Sequence, residues 1–178
     1  MDGRIIKTLI KIRKALLKLV AEKDIPDITV AELSREAGID RKTFYLHYKT
    51  VGDALDDLCD NTVQELTSGF SGELKADIKT LYDFLEEAPK PLRLMISGEK
   101  STGFRNRFLH GVFTSEAFLK YYTGTDHCLI EGFLYSIIYI YEECRRSGRL
   151  VDTAELADMA ASLVEHGLKN KRIIKNFD

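Results

Sequence analysis

Residues 29–49, TVAELSREAGIDRKTFYLHYK, read as two short helices joined by a tight turn. Thr29 is placed to cap the first helix, with Glu32 three residues on to complete a capping box. Val30, Leu33 and Ala37 fall on one helical face. Gly38 stands where a helix needs a left-handed stop. Ile39 then turns inward, and Asp40 is placed to cap the next helix. That second helix carries Arg41, Lys42, Thr43, Tyr45 and His47 around a core-facing Phe44. A helix, a glycine turn and a helix dense in hydrogen-bond donors make a helix-turn-helix of the kind that enters a DNA groove.

Charge is distributed to match. The 178-residue chain has a net charge of −2. Residues 1–50, however, hold 11 Lys and Arg against 7 Asp and Glu, and the remainder holds 15 against 21. The basic end coincides with the helix-turn-helix, as phosphate binding requires. The hydrophobic share of 44% and charged share of 30% fit a soluble globular protein.

The rest of the chain also reads as helical. A first helix is expected from about Arg4 to Lys23, ended by the stretch around Pro26. A fourth is expected after Thr50, placed as an N-cap with Asp53 three residues on, running to about Gly69. Further helices are expected over about 73–88, 91–97, 101–120, 125–147 and 153–169, about nine in all. The fold class is therefore all-α. A three-helix helix-turn-helix domain is expected over 1–50 and a larger helical domain over 51–178.

The segment RIIKTLIKIRKALLKLV carries Lys or Arg every three or four residues, unlike a signal peptide. Its basic face is mostly a solvated surface, and only its N-terminal end, Arg4 and Lys7, is a candidate to touch a backbone phosphate. The longest apolar run, 128–141, is broken by Glu131 and is shorter than the roughly 20 residues that span a bilayer. A cytoplasmic protein with no membrane partner is expected. Cys59, Cys128 and Cys144 share no paired spacing, which fits reduced, mostly buried thiols.

The pattern of residues 4–60, above all TVAELSREAGI, DRKTFYLHYKT and the leucines that follow, resembles the N-terminal domain of TetR/AcrR-type bacterial transcriptional regulators. Leu46 stands where relatives more often carry a polar residue, with the domain interior as its other reading, and Gly52 stands where a charged one is common. The start of a recognition helix points into the major groove, so Arg41, Lys42 and Thr43 are candidates for base edges. Tyr45, His47, Tyr48 and Lys49 resemble the family's phosphate-positioning set. Thr29 lies at a helix N-terminus, where amides and the helix dipole favour an anion. Tyr48 has a second reading, packed beneath the fourth helix.

The resemblance implies a homodimer on a palindromic double-stranded operator, because one short helix contacts few bases. It implies an interface built from the last two helices. Candidates there are Leu134, Ile138, Tyr141, Leu156, Met159, Ala160, Leu163 and Val164. It also implies a ligand-binding larger domain and a repressor released by a small apolar or aromatic inducer. Phe104, Phe108, His110, Phe113, Phe133 and Tyr135 are the candidate pocket, with plain core packing as the other use of those aromatics. The alternative is a DNA-binding protein of the same fold, an activator or architectural factor controlled by a protein partner. A further rival is a basic amphipathic first helix that docks on membranes.

No catalytic signature is present: there is no GxSxG, glycine-rich phosphate loop or HExxH. His127 and Glu131 are spaced to share a helix face but lack a second ligand pair. No enzyme activity, metal or cofactor is expected.

Overall fold

The computed structural model describes residues 3–121, 127–148 and 152–169, with side chains left aside for 121, 127–131 and 167–169. These residues form ten α-helices and one 3-10 turn. In chain order they are α1 (Gly3–Glu22), the turn Ile25–Asp27, α2 (Val30–Ala37), α3 (Arg41–Tyr45) and α4 (Val51–Thr67). There follow α5 (Leu74–Glu87), α6 (Lys90–Ile96), α7 (Thr102–Thr114), α8 (Glu116–Tyr121), α9 (His127–Arg146) and α10 (Thr153–Lys169). No helix among the described residues is long and apolar enough to cross a membrane.

The helix expected over about 101–120 is two helices. Ser115 ends α7 and starts α8, its hydroxyl accepting the Phe118 amide at 3.2 Å. A serine that captures a downstream amide competes with continuation of the helix. Asp152 does the same for α10, accepting the amides of Ala154 and Glu155 at 2.9 and 3.2 Å.

The packing divides the chain into two compact units, Met1–Glu65 with Ala88–Val112, and Leu66–Glu87 with Phe113–Asp178. Most of α4, and α6 and α7 up to Val112, thus pack in the same unit as the helix-turn-helix. In this first unit α1 buries Ile12, Ala15, Leu16, Leu19 and Val20, one stripe at i, i+3, i+4, i+7 and i+8. Leu33 and Ala37 of α2, Phe44 of α3, and Ala54, Leu58 and Cys59 of α4 share the unit's buried core. So do Leu92, Met95 and Ile96 of α6 and Phe104, Phe108 and Leu109 of α7. A close approach of α4 and α7 depends on Gly111, where an added Cβ would lie 2.9 Å from a Val63 methyl. The Cys59 thiol lies 3.9 Å from the Phe104 carbonyl, and burial pushes its pKa up to about 12, so it stays a neutral thiol.

In the second unit α5 packs on α10, and α9 also meets α10. Ile78, Leu81, Tyr82 and Leu85 of α5 are buried, as are Ile137, Ile138 and Tyr141 of α9 and Ala157, Ala160, Ala161 and Val164 of α10. The Tyr82 and Tyr141 rings stack at 5.6 Å. Buried Asp77 accepts the Ser71 and Gly72 amides at 2.7 and 3.0 Å, which satisfies the backbone entering α5. Thr153 donates to Asp83 at 2.7 Å, and Arg145 is paired with Glu86, tying α10 and α9 to α5.

Candidate nucleic-acid interface

The helix-turn-helix is held at both of its internal boundaries. At the start of α2 the Thr29 hydroxyl accepts the Glu32 amide at 3.2 Å, and the Glu32 carboxylate accepts the Thr29 amide at 3.1 Å, a complete capping box. Lys23 pairs with the same carboxylate at 2.7 Å. The Lys23 ammonium, then the Thr29 amide and hydroxyl, hold Glu32 at about 2, below its ordinary 4.5. A carboxyl depressed on folding adds stability above its unfolded value and loses it as pH falls through the folded one. The box therefore strengthens the fold above about pH 4.5, and that contribution disappears as pH drops toward 2. Glu32→Gln is expected to flatten the acid limb of a plot of unfolding temperature against pH. An acid limb identical to that of the parent would show that the Glu32 charge contributes nothing to stability.

At the end of α2, Gly38 takes φ 63° and ψ 43°. Its amide donates to the Arg35 carbonyl at 3.1 Å and the Ile39 amide to the Ser34 carbonyl at 3.0 Å. These paired bonds form a Schellman stop, which needs a residue without a Cβ penalty in the left-handed region. The chain then turns into α3. Asp40 stands at the N-cap position with an extended backbone, but its exposed side chain makes no capping bond, contrary to the role expected of it.

Beyond Asp40 the side chains separate by face. Phe44 is fully buried, its ring 5.7 Å edge-on from Tyr45 and 5.6 Å from Tyr48. Arg41, Lys42, Tyr45, Leu46 and Lys49 are exposed, while Thr43 and His47 are half-buried. Among the described residues Arg41, Lys42 and Lys49 are in no close ion pair, although the Lys49 charge helps to hold the Asp53 carboxyl below its usual range, after the Thr50 and Lys49 amides. At the other end of α2's capping box Thr29 is also exposed, beside the first amides of the helix.

Tyr48 is turned inward, and this corrects its expected place among the phosphate contacts. Its ring is buried and its hydroxyl donates to Asp57 of α4 at 2.7 Å. Burial and then the bond to Asp57 push its pKa up. Asp57 in turn accepts Nε and Nη2 of Arg13 at 2.7 and 3.1 Å, and Arg13 Nη1 donates to Asn61 at 2.6 Å. Burial opposes the Asp57 charge, but the bonds from Arg13 and Tyr48 outweigh it and keep the carboxyl below its usual range. The network joins α1, the residue that follows α3 by three, and α4. Nothing in the sequence reading singled out Arg13, Asp57 or Asn61; their only local signal is the one-turn spacing of Asp57 and Asn61. The start of α4 is also capped as expected, with Thr50 and Asp53 exchanging amide bonds at 3.1 and 2.9 Å.

The other candidate residues fall as follows. Phe104 and Phe108 are buried in the first unit, where His110 is exposed. Phe113 is buried in the second unit, edge-on to Phe118 at 5.2 Å, and Phe133 and Tyr135 are half-buried there. Of the eight interface candidates, Ile138, Tyr141, Ala160 and Val164 are buried inside their own unit, and Leu134 and Leu156 are half-buried. Met159 and Leu163 are 58% and 59% exposed, four residues apart on α10. Tyr139 of α9, absent from the expected set, is 65% exposed. The side chains of His127 and Glu131 lie outside the described residues. Among those described, no group of three or more His, Cys, Asp and Glu is placed to hold a metal.

No family model matches the chain. Over 101 residues, 54% of its length, it is 31% identical to an uncharacterised HTH-type transcriptional regulator of Bacillus subtilis (strain 168), YxbF. The match spans 24% of that relative. A TetR transcriptional regulator from Rhodococcus sp. RHA1 superposes with a TM-score of 0.57 at 16% identity, over 90% of this chain and 98% of that one. A TetR-family transcriptional regulator from Streptomyces coelicolor gives 0.58 at 16% identity, over 93% of this chain and 81% of that one. With its capped helix-turn-helix and the likeness of nearly its whole length to these two structures, the chain has the fold of the TetR-family transcriptional regulators.

Proposed function

We propose that this chain is a sequence-specific, DNA-binding transcriptional regulator of the TetR family that works as a homodimer in the cytoplasm, without catalytic activity. One observation supports this above the others. A short helix locked from within by Phe44 presents Arg41, Lys42 and Tyr45 to solvent, with exposed Lys49 just beyond its end, and Arg41 and Lys42 have no ion-pair partner among the described residues. A solvated face with no such task tends to interleave charges of both signs. Exposed cations clustered on and just beyond one rigid helix suit a polyanion.

In this reading residues 1–50 bind DNA and residues 51–178 regulate and dimerise. Arg41, Lys42 and Thr43 meet base edges. Tyr45, His47 and Lys49 meet phosphates, together with Thr29 and the amides at the start of α2. Tyr48 acts indirectly, fixing the end of the reading segment on Asp57. Met159 and Leu163, with Tyr139, are the exposed apolar side chains offered to the second copy. Two copies place two rods on half-sites separated by roughly 34 Å or a multiple of it. The regulator is a repressor. An apolar or aromatic ligand releases it by binding one arrangement of the larger domain more tightly than the DNA-binding arrangement. Phe113, Phe133 and Tyr135 of the second unit are the candidates to line its site, and α4 is the helix through which the change is passed on.

Salt-titrated binding to a duplex selected from a random pool tests the division of roles. Lys49→Ala is expected to weaken binding to all duplexes and to lower the salt slope by about one unit. Lys42→Ala is expected to weaken the selected duplex by roughly tenfold and also to blur the preference over unselected DNA. Unchanged affinity and salt slope in Lys49→Ala would remove it from the phosphate set.

A further inference from the structure

Leu46 is 80% exposed, the most exposed of the large apolar side chains among the described residues. Its place is specific. Its amide donates to the Lys42 carbonyl at 3.1 Å, so Leu46 continues the ladder of α3 and lies one turn beyond Lys42 on the same face. Tyr45, beside it, is 56% exposed, and the exposed cations Arg41, Lys42 and Lys49 bracket the pair. The sequence alone allowed Leu46 to face the interior. In the structure Phe44 and Tyr48 take the interior positions, and Leu46 is left on the face that carries the cations.

We infer that Leu46 is a specificity-determining residue that reads the C5-methyl group of a thymine in the major groove. The inference rests on the DNA reading above. A phosphate offers a branched apolar tip nothing, and neither does the polar edge of a guanine or cytosine. Within the major groove the thymine methyl is the one apolar group on a base edge. Lys42 and Leu46 on one column then form a composite reader. The ammonium takes an acceptor-rich edge, and the isobutyl group covers a methyl about one helical turn further along the rod. The surrounding cations argue for a polyanion as the occupant of this face.

The test replaces thymine by deoxyuridine, one position at a time, in a duplex selected from a random pool by the full-length protein. This removes a single methyl and leaves every hydrogen-bonding atom in place. For the parent protein, one thymine per half-site is expected to be sensitive. Its loss should weaken binding about fourfold for one half-site and about fifteenfold for both, the scale of one buried methyl group each. Leu46→Ala should bind thymine and deoxyuridine duplexes equally, with an unchanged circular-dichroism melt. If the pool yields no enriched duplex, the DNA reading itself fails. An enriched duplex with no sensitive thymine in the parent, or with the same sensitivity in Leu46→Ala, overturns the role of Leu46 and leaves the DNA reading standing. An equal loss on all duplexes in Leu46→Ala, or a change in its oligomeric state by sedimentation, overturns it too. The first would place the side chain off the bases, and the second against another protein chain.

Discussion

Glutamate at both Met159 and Leu163 is expected to yield a folded monomer that binds the selected duplex at least about a hundredfold more weakly. Both side chains are exposed on α10, so the change removes little packing inside the chain. Leu156, Met159 and Leu163 share a face at i, i+3 and i+7, the spacing of an apolar seam. In a two-fold interface each substitution occurs twice, and four new carboxylates face one another across a surface that had been apolar. Loss of the second copy removes the avidity of two half-sites, commonly a factor of about 10²–10⁴. Binding to a duplex with a single half-site should change little, which separates loss of dimerisation from damage to the reading helix. Sedimentation equilibrium and anisotropy on the two duplexes measure both. A variant that stays dimeric would move the interface away from this face of α10.

Phe44→Ala is expected to destabilise the first unit by about 3–5 kcal/mol, the usual cost of emptying a fully buried aromatic site. The ring contacts Tyr45 and Tyr48 and is the one fully buried side chain of α3, so the helix has no other anchor of its size. Chemical denaturation measures the change. Specific DNA binding should be lost well before the chain unfolds, because the rod no longer has a fixed orientation. Leu46→Ala, two residues on, should alter stability by less than about 0.5 kcal/mol, since its side chain is in solvent. Similar losses at the two positions would contradict the division of the helix into an inner and an outer face.

The parts of the fold that were legible in the sequence are those decided by neighbours within a few residues. The capping box of Thr29 and Glu32, the stop at Gly38, the break at Pro26 and the cap at Thr50 are all local chemistry, and the structure contains each of them. The inward turn of Phe44 followed from helical spacing. What was not legible depends on distant partners. Tyr48 follows the end of α3, where spacing no longer dictates direction, and an aspartate on α4 decides its orientation. Arg13 meets Asp57 and Asn61 across 44 and 48 residues, and no local pattern announces that pairing. Asp40 has the right residue type for a cap but leaves the role unfilled. Leu46 was undecided because an apolar residue at a helix end is read as core unless the core positions are known to be occupied. The packing of α6 and α7 with the helix-turn-helix is likewise a long-range matter.

The Arg13–Asp57–Tyr48 network bears on how α3 keeps its angle. Half-buried ion pairs contribute little net stability, but breaking one leaves a charge without its partner. Here the network ties the residues that follow α3 to α1 and α4 together.

Selection of duplexes from a random pool by the full-length protein, followed by the stoichiometry of binding, is the most direct measurement. The expected result is an imperfect palindrome bound by two chains, with half-site centres separated by about one helical turn of DNA or a multiple of it. A pool that stays random, or an enriched site lacking two-fold symmetry and bound by one chain, would contradict it.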